Sequence, residues 1–183
     1  MTTMSDELAK WIPPLVGLEC WYVSTGGSAK STLQLALGEK VARPHPLRNK
    51  AHSDEFRQFE GSVNIFIWCA WRLDGSHGPL TSWDDTEQSI KERLSNLPGN
   101  RIEHVDLVPG TWDINIRFLN GLFLRVFCDH VPGDPSFDGN WDLRTQNVAI
   151  AFGPGANYRI ESRSSVNAVC GENPPEPGIG RAS

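Results

Sequence analysis

Two stretches of this chain hold residue types that could do chemistry. The first is Ser24-Thr25-Gly26-Gly27-Ser28-Ala29-Lys30-Ser31-Thr32, with the glycines, lysine and hydroxyls of a phosphate-binding loop. Such a loop needs Gly-Lys-Ser/Thr opening a helix, so that backbone amides and the helix N-terminus surround the phosphates. Here Ala29 precedes Lys30, Ser24 stands where the first glycine belongs, and the following Leu33 to Leu37 alternates as a strand does. The stretch reads as a connection between strands, not a nucleotide site.

The second stretch gathers Asp129, His130, Asp134, Asp138 and Asp142. Carboxylates with an imidazole could ligate a metal or exchange protons. The spacings fit no calcium loop and no zinc signature, and Pro132, Gly133, Pro135 and Gly139 are turn residues. The expectation is a solvated acidic loop with no metal and no cofactor. Asp142, between Trp141 and Leu143, is expected to point outward from its strand. His77 and His104 are isolated and no serine sits in a nucleophile elbow, so no catalytic residue is assigned.

Charge is distributed unevenly. The segment Lys40 to Arg57 carries Lys40, Arg43, Arg48, Lys50 and Arg57 against Asp54 and Glu55, whereas Asp129 to Leu143 has four aspartates and no lysine or arginine. If one pole meets a partner, the acidic one suits a basic protein. The candidate partner-binding residues are therefore Asp129, Asp134 and Asp138, with Trp83, Asp84 and Asp85 as an aromatic anchor beside acid.

The elements that would position these residues repeat along the chain. Leu8, Ile12, Leu15, Gly17, Cys20 and Val23 match Ile90, Leu94, Leu97, Gly99, Ile102 and Val105 without a gap. One deleted residue later, Leu33, Leu35 and Leu37 match Ile114, Ile116 and Phe118. A W-x-L at Trp71 and Leu73 recurs at Trp141 and Leu143. The apolar residues four and three apart predict a short helix at the head of each copy. Pro13 and Pro14 would stop the first helix early, Ser82 would cap the second, and Gly17 and Gly99 would end them. The alternating runs predict half-buried strands, with a hairpin turn at Asn120-Gly121.

The expected fold is α+β and mainly β, as two tandem pseudo-symmetric helix-plus-antiparallel-strand units. One globular domain would span 1–163, with repeats at about 5–80 and 82–163. Residues 164–183, rich in Pro, Gly and Ser, would form a disordered tail.

The 183 residues are 39% hydrophobic and 21% charged, which suits a packed domain. A net charge of −5 argues against general nucleic-acid binding. No apolar run reaches the roughly 20 residues of a membrane helix, and Met1 to Lys10 lacks the apolar core of a signal peptide. The four cysteines show no CxxC spacing, so a reducing cytoplasm is expected.

The repeated L-x-G, the alternating strand, the hairpin F-L-N-G-L-F-L-R-V-F and the N-W-D-L after it resemble a pattern in small uncharacterised bacterial proteins. Some of these are similar to the immunity proteins that neutralise polymorphic toxins. The resemblance covers about Leu8 to Arg163 and implies a non-catalytic protein-binding module that occludes a basic partner. The alternative from the residues themselves is a small-ligand binder or enzyme using a cleft to which both units contribute polar groups.

Overall fold

In the computed structural model, residue 8 and residues 10–26, 29–133 and 139–163 are described, with the backbone alone for 29–31. Asp134, Asp138 and the expected tail at 164–183 lie outside the described residues.

Each alternating run becomes a strand with its apolar residues on one side. The strands are β1 (Glu19–Gly26), β2 (Ala29–Ala42), β3 (Phe59–Ile67), β4 (Ala70–Gly75), β5 (Gly78–Ser82), β6 (Asn100–Leu107), β7 (Ile114–Phe118), β8 (Phe123–Phe127), β9 (Trp141–Thr145), β10 (Val148–Phe152) and β11 (Tyr158–Ser162). Among the described residues the helices are α1 (Asp54–Gln58) and α2 (Glu87–Leu94), and Leu8 is helical as well. The fold is mainly β with minor α, as expected. All described pairings are antiparallel, in the order β11-β10-β9-β3-β2-β1-β6-β7-β8-β4-β5.

That order contains an exchange. In sequence β4 and β5 follow β3, yet they extend the sheet beyond β8. Likewise β9 and β10 follow β8 but pair beyond β3. Each copy therefore builds three strands of its own wing and the outer strands of the other.

The register is the same in both wings. One wing aligns Val23, Leu35, Ile65 and Leu143 across β1-β2-β3-β9. The other aligns Val105, Ile116, Leu124 and Leu73 across β6-β7-β8-β4. One row over, Leu33, Ile67 and Trp141 correspond to Ile114, Val126 and Trp71. A bulge recurs too, at Trp21 on β1 and Glu103 on β6, where the register slips by one residue.

The wings join through a short ladder of two residue pairs, Glu19 with Arg101 and Cys20 with Asn100. The sheet then curls until its apolar face meets itself. Trp112, just before β7, lies 5.8 Å from the Phe152 ring on β10 and 5.7 Å from Tyr158 on β11. One continuous core results, with Trp71, Trp112 and Trp141 among its largest fully buried side chains. Truncating any one of them would cost about 3 to 5 kcal/mol.

The copies begin differently from expectation. Pro13 and Pro14 start a 3₁₀ turn, Pro13–Leu15, beyond the helical Leu8, since proline's fixed φ suits a first turn. The N-cap of α2 is Thr86, whose hydroxyl accepts from Ser89 N–H, not Ser82, which ends β5. Basic side chains of the 40–57 segment are paired locally: Lys40 with Glu55, Arg43 with Glu60, and Arg57 with Asp54. What reads in sequence as a basic loop is the end of β2, a connection and α1.

Candidate functional site: an open cavity where the copies cross

A strand buries one face in the core, so function on this sheet belongs to the other face or to the connections. On the outer face where β4 and β5 cross onto the second wing lies a cavity of about 400 Å³. Copy one supplies Asp74, Gly75, Gly78 and Pro79. Copy two supplies Glu103, Arg117, Leu119, Gly121, Phe123 and Arg125.

Phe123 is the centre of the polar arrangement. The Arg125 guanidinium lies 4.2 Å from its ring centroid and that of Arg117 lies 5.3 Å away. Asp74 anchors this side. It accepts from Arg72 at 2.8 and 3.2 Å and from Arg125 Nε at 2.7 Å. Burial pushes the Asp74 carboxyl up, but the hydrogen bonds and charges of Arg72 and Arg125 outweigh it and leave the net shift downward. Asp74 is thus a fixed carboxylate that orients Arg125. By contrast Arg117 and Glu103 make no ion pair or hydrogen bond within the described residues, so one cation and one anion remain free to meet a ligand.

The arrangement offers a ligand charge and an aromatic face. No nucleophile stands beside a base here, and among the described residues no group of three or more His, Cys, Asp or Glu is placed to hold a metal.

The described residues among those expected to meet a partner border the start of β4, where Trp83 N–H donates to Trp71 O at 3.1 Å. Trp83 is 41% exposed beside an exposed Asp84. Asp85 is committed to its own turn, accepting from Thr81 Oγ1 and Ser82 N–H, each at 2.9 Å. Asp129 Oδ1 accepts from Ala70 N–H at 3.3 Å, which ties the loop to β4. His130 is fastened to Gly139 and Asn140.

Asp142 departs from its expectation. It faces outward as the alternation requires, yet it is only 5% exposed. Arg144 covers it, binding Oδ2 and lying 4.4 Å over the Phe66 ring. Oδ1 is buried with no hydrogen-bond partner. Burial raises the Asp142 pKa to about 6, against the opposing pull of Arg144 and Arg159.

The phosphate-loop look-alike is resolved by topology. Its ends lie in β1 and β2, with Gly26 paired to Ala29, and Lys30 to Thr32 continue as strand. Lys30 thus continues a strand and does not open a helix, as a phosphate-binding loop requires.

None of the cavity residues was assigned a binding role in the sequence, although Gly121 was read as a hairpin turn. The signal that could have found them is W-R-L-D at Trp71 to Asp74 against W-D-L-R at Trp141 to Arg144. Both copies place an Arg–Asp pair on the outer face of the same strand.

Comparison with known proteins gives little. No family model and no solved structure matches the chain. It is similar to the ATP-dependent RNA helicase DBP3 of Ajellomyces capsulatus (strain NAm1 / WU24), at 30% identity over 153 residues. The match covers 81% of this chain and 29% of the helicase, so the chain spans less than a third of that relative's length.

Proposed function

We propose that this chain is a non-catalytic binding protein whose ligand enters the outer-face cavity around Phe123. One observation carries the reading: both copies contribute polar side chains to a single concavity, in which Arg117 and Glu103 are free while Asp74 and Arg125 are locked. A binding site profits from this division, because locked groups cost no ordering on association and free ones supply the new bonds. Free thiols at Cys20, Cys69 and Cys128 support a reducing compartment, the cytoplasm. Among the described residues no helix is long and apolar enough to cross a membrane.

A second reading keeps the immunity-like role, occlusion of a basic partner. It is supported by Trp83, exposed beside Asp84 at the turn before α2. The helicase relative's ATP-dependent action on RNA is not adopted, since Lys30 to Thr32 form strand and the net charge is −5.

Amide shift perturbation against a panel of organic anions, zwitterions and short peptides distinguishes the two. Shifts at Gly75, Gly78, Arg117 and Gly121 that vanish in Arg117→Ala support the cavity. Shifts confined to Trp83 and Asp84 would replace it with the second reading.

A further inference from the structure

The two wings share register and bulge, so the outer face of the first wing is a second version of the cavity. Its residues follow by alignment. Glu103 corresponds to Trp21, His104 to Tyr22, Arg117 to Ala36 and Phe123 to Asn64. In the first wing this face is shut: Ala36 is fully buried and Asn64 is 3% exposed. In the second it is open, with Arg117 exposed and Phe123 half-buried.

One connection also differs between the wings. Between β7 and β8 the chain needs only Leu119 to Leu122. Between β2 and β3 it runs from Arg43 through α1 and folds back over the outer face. Phe56 on α1 is 1% exposed, stacks on Tyr22 with ring centroids 3.9 Å apart and planes within 9°, and touches Trp21. Carboxylates precede it: Glu55 holds Lys40 on β2, and Asp54 holds Arg57. Ser53 caps the turn by accepting from Phe56 N–H at 3.2 Å. The occupant of the closed face is thus a capped helical turn reading Ser-Asp-Glu-Phe.

We infer that the open face of the second wing takes, from a partner protein, an acidic helical turn carrying an aromatic side chain, as the first wing takes its own Ser53–Phe56 turn. The inference rests on the cavity reading above and names its ligand class. Charge complementarity agrees. The guanidinium of Arg117 replaces an alanine at the equivalent place and offers donors to a carboxylate next to the incoming ring, while the Glu103 carboxylate directs that acid to the Arg117 side. Gly75, Gly78 and Gly121 also line the cavity, where the absence of side chains admits a backbone. Affinity would come from one buried aromatic anchor with a charge-assisted pair beside it.

The test uses the full chain and a capped, fluorescein-labelled peptide with this protein's own sequence from Ala51 to Glu60, read by fluorescence anisotropy. Specific binding is expected. Changing the peptide's phenylalanine at the Phe56 position to alanine should weaken it at least tenfold, as should Arg117→Glu in the protein. Adding 0.5 M salt should weaken the wild-type complex several-fold and the Arg117→Glu complex less. Phe123→Ala, a half-buried position, serves as the second variant, and circular dichroism establishes that both proteins fold. If scrambled and native peptides bind alike, or if Arg117→Glu and Phe123→Ala leave affinity unchanged, the inference is overturned. A small anion or zwitterion that binds in an Arg117-dependent way while the peptide fails would overturn the inference and leave the cavity reading standing. Failure of all of these at the cavity would overturn both.

Discussion

Glu19 and Arg101 face each other across the central ladder, and 82 positions apart they are the same position in the two copies. The pseudo-two-fold axis of the molecule therefore passes between them. Gly17 N–H donates to Ile102 O at 2.8 Å, and its counterpart Gly99 N–H donates to Cys20 O at 2.7 Å. Arg101 Nη2 meets Glu19 Oε2 at 3.2 Å, but both side chains are largely exposed. Such pairs add little.

The symmetry makes a quantitative prediction. Gly17 and Gly99 have φ of +88° and +86°, and an added Cβ would meet nothing within 4 Å at either. Strain alone would be felt, so Gly17→Ala and Gly99→Ala should each lose about 1 to 2 kcal/mol. Glu19→Gln should lose under about 0.5 kcal/mol. Urea unfolding measures all three. Unequal glycine effects, differing by more than about 1 kcal/mol, would argue against equivalent roles.

Asp142 gives the pH dependence. Its folded pKa, about 6, stands above the unfolded value, so the folded state binds the proton more tightly. Stability from this group is present below about pH 4 and is lost as pH rises through 6. The loss is on the order of 2 to 3 kcal/mol at 1.36 kcal/mol per unit. Asp74 acts with the opposite sign, since its lowered pKa loses stability as pH falls. The difference between wild type and Asp142→Asn isolates the first group. Relative to wild type, the variant should gain stability from pH 4.5 to 7.5, and a flat difference would remove the buried-carboxylate account.

How much of this was legible follows from which interactions are local. Leu33, Leu35 and Leu37 against Ile114, Ile116 and Phe118 predicted strand period and equivalent register, because alternation on one buried face is written in adjacent residues. The W-x-L strands were also visible, but not that each pairs with the other copy. That choice depends on which edge a strand reaches, and no residue spacing encodes it. Phe56 looked like a loop residue within a basic segment. Its importance comes from Trp21 and Tyr22, brought to one side by a bulge that the sequence does not announce. The cavity is the place such a plug is missing, and so it left no motif.

Trp141 separates packing from hydrogen bonding. Its indole stacks on Phe152 at 3.9 Å, and Nε1–H donates to Trp112 O at 2.8 Å. Trp141→Phe keeps a ring in place and leaves Cys128 Sγ as another donor to that carbonyl. It should cost about 1 to 2 kcal/mol, against about 3 to 5 for Trp141→Ala. Guanidinium unfolding of both variants checks the ratio, and equal losses would mean that stacking contributes nothing.

The last prediction compares the closed and open faces directly. Phe56 is 1% exposed and packed between Tyr22, Trp21 and His52, with Arg43 lying 4.9 Å over its ring. Burial and then the Arg43 charge hold the His52 imidazole below its ordinary pKa, as expected under a packed lid. Removing that ring leaves a cavity between groups that cannot collapse, so Phe56→Ala should cost about 3 to 5 kcal/mol. Phe123 is half-buried on the open face, with the Arg117 and Arg125 guanidiniums against its ring. Water already reaches it, and Phe123→Ala should cost no more than about 1.5 kcal/mol. Differential scanning calorimetry of the two variants decides the matter. If Phe123→Ala destabilises as much as Phe56→Ala, the second face is already filled by the protein itself. It would then have no room for a partner's aromatic turn.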